Sequence, residues 1–356
     1  MGALAADRVQ VRRDVAGTIG TVSSFSLFPV ARHRKGTFRF AWPCASLVST
    51  RASLGRRRMD DQGLSNPERD WEPHQSLRSI DRAAVERRIG STSESLAVLP
   101  GGLANLNVRI GESRVLRIYL RDPESIAKEA LLLGRGWNSF RVPAILDRGE
   151  DFLLLEYVPH GQLLGTDSHG AAVGKALAEI HSIAFHTHGF LGPDLSIAEP
   201  MPNWIAAVEA EATSAFGRAH GEFAVLRKPV LAFYERCRTE LEDLAVDAVL
   251  QHGDFKASNL HWTTSGSLLV LDWEFAFAGP ALMDLGQLVR WPVPRPFLDA
   301  FESGYKSKGG RLPQDWAERA AAFDLVNLVE LLARATPGST RAKDLQLRIE
   351  ATVHRE

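Results

Sequence analysis

A short polar stretch in the second half of the chain limits what this sequence can fold into. It reads LQHGDFKASNLHW, and the run SLLVLDWEFA follows shortly after it. The polar stretch places four functional side chains close together: His252, Asp254, Lys256 and Asn259. Because it is too polar for a core strand and lacks the periodicity of an amphipathic helix, it predicts a loop. The apolar run predicts a short strand that ends at Asp272.

The spacing of these residues suits phosphoryl transfer. A carboxylate at Asp254 can accept the proton of an attacking hydroxyl, and the amide oxygen of Asn259 can ligate magnesium. Asp272 offers a second hard oxygen ligand for a magnesium ion that bridges nucleotide phosphates. Lys256 can offset charge on the transferred phosphoryl group. The alternative is a polar surface loop that happens to contain Asp and Asn, and the strand-borne Asp272 argues against it.

The pattern H-G-D-x-x-x-x-N, followed by L-D-W-E and M-D-L-G, resembles the aminoglycoside phosphotransferase and choline kinase family, whose members are small-molecule kinases with a protein-kinase-like fold. The resemblance extends over about residues 90–335. It implies ATP and Mg²⁺ as cofactors, Asp254 as the catalytic aspartate, and Asn259 and Asp272 as magnesium ligands. It also matches Asp284 to a downstream aspartate of the family. For Asp284 and His252 we predict a structural role in bracing the loop.

The first half of the chain should then supply the nucleotide contacts. In LPGGLANLNVRI, Gly101 and Gly102 predict a turn whose backbone N–H groups can approach phosphates, because no Cβ is in the way. Asn105 can bond a phosphate or the turn itself. The segment resembles the G-G-x-x-N turn of the phosphotransferases, although most Gly-Gly turns are only hairpins.

A phosphate-binding cation is predicted in RVLRIYL. The resemblance places Arg117 where kinases usually carry a lysine, and an arginine keeps the charge and can bind phosphate with two hydrogen bonds. Glu129, in the following helical segment ESIAKEALLLGRGW, is the natural partner of this arginine. Arg114 and Arg121 are close in sequence, so they remain alternatives.

The segment FLLLEYVPHG resembles the hinge of the family. There the main-chain N–H and C=O groups of Glu156, Tyr157 and Val158 would bond the adenine edge, so position matters more than side-chain identity. Pro159 and Gly161 should end the strand and allow the two halves of the molecule to move.

The element pattern and the resemblance together predict an α+β, bilobal protein-kinase-like fold. Residues 1–58 are expected to be a disordered or spurious extension or a transit peptide, and 59–88 a helical lead-in. A small β-rich N-lobe should cover 89–158, with one helix opened by Asp122-Pro123, and a larger α-rich C-lobe should cover 159–356. Helices in the C-lobe are predicted over 170–186, 203–219, 222–246, 281–291, 295–307 and 314–335, with two short strands inside 249–278.

Composition excludes several classes of protein. With 45% apolar and 24% charged residues and a formal net charge of −1, the chain gives no indication of a nucleic-acid or membrane partner. No apolar run approaches the roughly 18 residues that span a bilayer. Residues 1–58 contain eleven Lys/Arg and two Asp, and the composition changes abruptly at Met59. Cys44 and Cys237 fit neither a disulfide framework nor a zinc site, so we expect inert thiols and a cytoplasmic location.

The sequence therefore predicts an ATP- and Mg-dependent phosphotransferase that acts on a hydroxyl of a small molecule. A protein kinase is disfavoured because only eleven residues separate Asp272 from Asp284, too few for a long activation loop. A nucleotide-binding pseudokinase or scaffold is disfavoured because Asp254, Asn259 and Asp272 are all present. The acceptor stays open among aminoglycoside-, choline-, sugar- and homoserine-like molecules, and so does the oligomeric state. Candidates for lining the acceptor pocket are Trp204, Trp273, Glu274 and Trp291.

Overall fold

A computed structural model of the chain describes Gly63, Leu64, Glu68 and the ranges 81–99, 105–120 and 122–354. The expectations for residues 1–58, for the Gly101-Gly102 turn and for Arg121 lie outside the described residues and stay predictions.

The first part of the described chain is built on a five-stranded antiparallel sheet. Its strands are β1 Leu96–Val98, β2 Asn105–Ile110, β3 Arg114–Tyr119, β4 Ile145–Arg148 and β5 Phe152–Glu156, in the spatial order β1-β2-β3-β5-β4. Since side chains alternate along a strand, one face of β3 buries Leu116 and Ile118 in a small apolar cluster with Val85. The opposite face of β3 carries Arg117, which is thereby directed away from that cluster.

Two helices accompany this sheet. The first, α1 Arg82–Ile89, begins after Asp81, whose side chain accepts a hydrogen bond from the N–H of Ala83. The second, α2 Ser125–Gly134, begins later than expected and has no side-chain cap. The hydroxyl of Ser125 donates to the carbonyl oxygen of Asp122 (2.7 Å), so Asp122 contacts the start of the helix through its main chain.

The remainder of the chain is mainly helical. Its helices are α3 Asp167–His181, α4 Trp204–Arg218, a 3-10 helix Gly221–Leu226, α5 Arg227–Leu244, α6 Leu282–Leu288, α7 Arg295–Ser307, α8 Trp316–Ala333 and α9 Thr340–Val353. Helices α3 and α7 pack closely because glycines face each other's backbone. A Cβ at Gly170 would lie 2.1 Å from the carbonyl oxygen of Phe297, and one at Gly304 would lie 2.3 Å from that of Ala171.

Two small antiparallel sheets frame the polar stretch. Their strands are β6 His160–Gln162, β7 Ala184–Phe185, β8 Gly189–Leu191, β9 Ile197–Pro200, β10 Ala248–Gln251, β11 Leu260–Thr263, β12 Leu268–Val270 and β13 Phe277–Gly279. The spatial orders are β7-β10-β13-β8-β9 and β12-β11-β6. The polar stretch leaves β10 of one sheet and enters β11 of the other, so both of its ends are fixed.

The structure confirms an α+β chain with a β-rich first part and a larger helical second part. The segment 249–278 holds four strands where two were predicted, and α9 was not predicted. The domain boundaries given above stay a prediction. Within the described residues, no helix combines the length and the apolar character that crossing a bilayer requires.

Candidate active site

The polar stretch forms a loop whose first turn is held by α6. Gly253 has a φ of 81°, and a Cβ there would lie 2.3 Å from the carbonyl oxygen of Phe275, so the position needs glycine. The fully buried carboxylate of Asp284 accepts hydrogen bonds from the N–H groups of His252 (2.7 Å) and Gly253 (2.9 Å). The structural role predicted for Asp284 is confirmed.

The ring of His252 braces the same loop. Its Nε2 bonds the carbonyl oxygen of Leu271 (3.0 Å), and its Nδ1 accepts a hydrogen bond from the N–H of Asp254 (3.3 Å). A donor at Nε2 and an acceptor at Nδ1 correspond to the neutral imidazole with its proton on Nε2. The predicted bracing role of His252 is confirmed, and the ring ties the loop to the residue that precedes Asp272.

Gln287 completes this brace and was not predicted. Its Nε2 donates to the carbonyl oxygen of Gly253 (2.7 Å), and its Oε1 accepts from the N–H of Phe255 (2.6 Å). Gln287 lies one helical turn after Asp284, so both side chains are on the same face of α6. The three-residue spacing of Asp284 and Gln287 in a predicted helix is the sequence feature from which this role of Gln287 could have been inferred.

Three predicted site residues meet at the end of the loop. Asn259 Nδ2 donates to both the main-chain oxygen and Oδ2 of Asp254, each at 2.8 Å. Lys256 Nζ lies 3.0 Å from Oδ1 of Asp254. The Asp254 side chain is 19% exposed, so its carboxylate is held from two directions and still reaches solvent.

Asp272 lies next to this cluster in a left-handed backbone conformation, with a φ of 71°. Such a conformation costs on the order of 1–3 kcal/mol for a residue other than glycine, and it persists where the surroundings hold the residue in place. The N–H of Leu271 donates to the carbonyl oxygen of Asn259 (3.0 Å). The backbones at the two predicted metal ligands are therefore directly linked.

The two predicted ligands have donor atoms that suit magnesium. Because Nδ2 of Asn259 faces Asp254, the amide oxygen of Asn259 is directed away from that carboxylate. Asp272 adds a carboxylate, and its side chain is 22% exposed. Magnesium is commonly held by one or two such oxygen ligands together with the phosphates of a substrate.

Arg117 reaches this cluster from the other part of the molecule. Its Nη2 donates to Oδ1 of Asp272 (2.5 Å), and its Nε lies 3.4 Å from Oε2 of Glu129 on α2. The structure thus brings Arg117, Glu129 and Asp272 together. Of the alternatives, Arg114 pairs with Glu94 at the other end of β3 and not with the site.

Three partners of this ion pair were not predicted. The hydroxyl of Tyr119 donates to Oε2 of Glu129 (2.6 Å). Oε2 of Glu274 lies 3.7 Å from Nη2 of Arg117 and accepts a hydrogen bond from Nδ2 of Asn105 (2.6 Å). Burial raises the pKa of Glu274 to about 7, and the negative charge of Asp272 adds to this effect.

One guanidinium therefore faces three carboxylates, those of Glu129, Asp272 and Glu274. Arg117 is nearly buried, so these charges interact more strongly than they would in water. When all three are ionised, the carboxylates carry more negative charge than the single guanidinium balances.

The hinge segment follows β5. The N–H groups of Glu156 and Tyr157 donate to main-chain oxygens of the protein (2.8 and 2.7 Å), and the carbonyl oxygen of Val158 bonds the ring of His160 (2.6 Å). These three groups are committed within the protein. The predicted adenine contacts would therefore have to use other main-chain groups of the segment, such as the N–H of Val158.

The four candidates for lining the acceptor pocket are buried side chains. Each of the three tryptophans is packed against another side chain: Trp273 on Trp137, Trp204 on Phe277, and Trp291 under the guanidinium of Arg348. All three are at most 8% exposed, so they belong to the core, where aromatic rings bury the most surface. Glu274 is turned toward Arg117 and Asn105. Their role in lining an acceptor pocket stays a prediction.

Glu68, which precedes α1 in the chain, also reaches the site and was not predicted. Its Oε2 lies 2.6 Å from Nζ of Lys256, and its Oε1 lies 3.1 Å from Nη1 of Arg290. Its surroundings in the sequence, NPERDWEP, contain several charges and no pattern that distinguishes this one.

The fold is that of phosphotransferases with a kinase-like architecture. The model of the phosphotransferase enzyme family matches residues 95–322. The chain belongs to this phosphotransferase enzyme family, and the resemblance seen in the sequence is confirmed. No curated protein matches the chain.

Solved structures show the same fold at low identity. A candidate fructosamine-3-kinase of Thermobifida fusca YX-ER1 is 19% identical, with a TM-score of 0.56 over 77% of this chain and 99% of the other. A thermostable mutant of aminoglycoside phosphotransferase APH(4)-Ia is 17% identical, with a TM-score of 0.57 over 76% and 98%. A choline/ethanolamine kinase family protein of Mesorhizobium loti is 17% identical, with a TM-score of 0.52 over 73% and 87%.

Proposed function

We propose that the protein transfers the γ-phosphoryl group of ATP to a hydroxyl group of a small molecule, with magnesium bound to the nucleotide. The observation that carries this proposal is the meeting of Asp254, Asn259 and Asp272 in one cluster that Arg117 contacts. Solved structures of APH(4)-Ia mutants with AMP-PNP or ADP and hygromycin B support nucleotide and small-molecule binding in this fold.

The nucleotide would lie between the two parts of the molecule. Asn259 and Asp272 would hold the magnesium ion, which neutralises charge on the phosphate oxygens. Arg117, kept in place by Glu129, would contact the phosphates. The Gly101-Gly102 turn and Asn105 would cover the phosphates, and the segment Glu156, Tyr157 and Val158 would hold the adenine through its main chain.

Asp254 would act on the acceptor. It accepts the hydroxyl proton as the acceptor oxygen forms a bond to the γ-phosphorus and the bond from that phosphorus to the bridging oxygen breaks, which releases ADP. Lys256, 3.0 Å from Asp254, stabilises negative charge on the transferred group. Most of the rate enhancement then comes from positioning and charge, because the protein forms no covalent bond to the substrate.

The arrangement disfavours both rival functions. After Asp272 the chain passes through the short strand β13 and enters α6 at Leu282, so this part of the chain has no space for a long activation segment. A pseudokinase scaffold would have no need to keep Asn259 bonded both to Asp254 and to the backbone of the residue before Asp272.

The direct test is a screen for the acceptor. The protein is mixed with Mg-ATP and a panel comprising an aminoglycoside, choline, ethanolamine, a fructosamine, homoserine and simple sugars, and ADP release is measured. We expect one class to raise ADP release above the rate with water alone, and we expect the increase to vanish when magnesium is chelated. A protein that binds no nucleotide and releases no ADP with any of them would refute the proposal.

A further inference from the structure

Glu68 connects the segment before α1 to the catalytic loop. Its carboxylate lies between two cations, with Oε2 at 2.6 Å from Nζ of Lys256 and Oε1 at 3.1 Å from Nη1 of Arg290. The Glu68 side chain is only 15% exposed. Burial raises the pKa of Glu68, but the charges of Lys256 and Arg290 outweigh burial and keep that pKa below its ordinary value. The carboxylate is therefore charged and engaged on both oxygens.

Arg290, one of the two partners of Glu68, is itself held in place by the helical core. The guanidinium of Arg290 forms two hydrogen bonds with Asp324 on α8, each 2.7 Å long, and both side chains are nearly buried. A buried two-bond pair of this kind fixes its partners in direction as well as in distance. Glu68 is thus anchored to the helical core through Arg290, and Lys256 is anchored through Glu68.

The segment that carries Glu68 is attached at a second point. The N–H of Leu64 donates to the carbonyl oxygen of Leu163 (2.9 Å), and Gly63 pairs with Leu164 as an isolated antiparallel bridge. Leu64 also packs against the main apolar core. Two attachments of different chemistry, one through the backbone and one through charge, place Glu68 at the loop.

We propose that Glu68 is a positioning residue for phosphoryl transfer and that it acts through Lys256. This inference rests on the proposed function. A lysine is a compact charge on a flexible stem, so its location depends on its ion partners. Lys256 has two, Asp254 at 3.0 Å and Glu68 at 2.6 Å. Glu68 draws the ammonium partly away from Asp254, which keeps the Asp254 carboxylate accessible to an acceptor hydroxyl and keeps the ammonium at a fixed place beside it.

The test uses the full chain, Mg-ATP, and water or the best alcohol of the panel as acceptor. Glu68→Ala should lower kcat by about 10- to 100-fold, the scale of a misplaced catalytic group, while KM for ATP stays near that of the parent. Glu68→Gln should retain more activity than Glu68→Ala, since its amide oxygen can still accept a hydrogen bond from Lys256. In a Lys256→Met background, Glu68→Ala should change kcat no further, because residues that act as one unit are not additive.

The control is Glu240→Gln, which neutralises an ion pair with Arg319 between α5 and α8 and should leave kcat unchanged. Equal kcat for Glu68→Ala and the parent, or equal losses in the parent and Lys256→Met backgrounds, would overturn the inference. Higher turnover in Glu68→Ala would also overturn it, because Glu68 would then obstruct the acceptor. A parent that releases no ADP would instead refute the proposed function, and the inference with it.

Discussion

Arg117 is the residue on which most of the site's charges converge. Its planar guanidinium contacts Asp272 and Glu129 and lies near Glu274. The single ammonium group of a lysine could not reach all three carboxylates in the same geometry. The side chain is nearly buried, so its partners set its direction. We therefore expect this position to require both a positive charge and a planar fork.

Replacing Arg117 tests this expectation. Arg117→Ala should lower kcat/KM for ATP by about 10- to 100-fold, because a charged hydrogen-bonding group is lost from a buried site. Arg117→Lys should lose less, since the charge survives. Arg114→Ala, which removes the ion pair with Glu94, serves as the matched control and should keep normal kinetics. Steady-state rates at varied ATP measure all three, and a normal Arg117→Ala enzyme would show that another arginine contacts the phosphates.

At the residue scale, the sequence predicted which polar side chains lie close together better than it predicted the partners of those side chains. The chemistry of Asp254, Asn259 and Asp272 follows from residue type and spacing along the chain. The contacts of Glu274 with Asn105 and of Glu68 with Lys256 join residues far apart in sequence, and no local pattern announces them. The burial of the three tryptophans depends on the packing of several elements, so it could not be read from the sequence around each one.

At the scale of elements, α6 supports the loop that carries Asp254. Asp284 and Gln287 lie on one face of this short helix. Together their side chains form four hydrogen bonds with the backbone of residues 252–255, accepting three and donating one. The loop has no regular secondary structure of its own, so its shape depends on these side chains. The two side chains of α6 form hydrogen bonds with backbone groups of the loop that would bond to other backbone groups in a strand or a helix.

Asp284→Asn should damage this support. An amide in place of the carboxylate retains one acceptor oxygen and turns an NH₂ group toward a buried N–H, which should cost about 1–3 kcal/mol of unfolding free energy. Turnover should fall with it, since the loop carries Asp254. The control is Asp243→Asn, an exposed change of the same chemistry on α5. Denaturant unfolding and steady-state rates are measured on both variants. An Asp284→Asn protein as stable and as active as the control would contradict the role given to Asp284.

The elements themselves differ in how well the sequence predicted them. Long amphipathic helices such as α4 and α7 were located to within about two residues, because their apolar positions repeat over several turns. The strands β8, β9 and β12 are three or four residues long, too short for any alternation to stand out. The boundary of α2 was displaced because a turn at Pro123 precedes the helix.

At the scale of the molecule, the β-rich and helical parts are joined by polar contacts at the site. Arg117 bonds Asp272, Asn105 bonds Glu274, and Lys128 Nζ donates to the carbonyl oxygen of Ala276 (2.9 Å). All three contacts reach the short segment between β12 and β13. That segment therefore links the relative position of the two parts to the proposed nucleotide site.

Two truncated proteins distinguish the contribution of residues 1–58 from that of the segment that carries Glu68. A protein that begins at Met59 should keep the stability and activity of the full chain, as the change in composition at that residue suggests. One that begins at Ile80 loses the contacts of Leu64 and Glu68, so its unfolding free energy should fall by about 1–3 kcal/mol and its turnover should drop. Thermal unfolding and ADP release measure both, and a large loss in the Met59 protein would contradict the first expectation.

The central claim is that Asp254 and Asp272, two carboxylates in one cluster, do different work. The measurement is a calorimetric titration of ATP with and without magnesium, beside steady-state rates, on Asp254→Asn and Asp272→Asn. Asp254→Asn should bind Mg-ATP almost normally, while turnover falls by about two to four orders of magnitude. Asp272→Asn should lose both turnover and the magnesium dependence of nucleotide binding, because a charged metal ligand is gone. If Asp254→Asn loses magnesium-dependent binding while Asp272→Asn keeps it, the two roles are reversed and the account of the site is wrong.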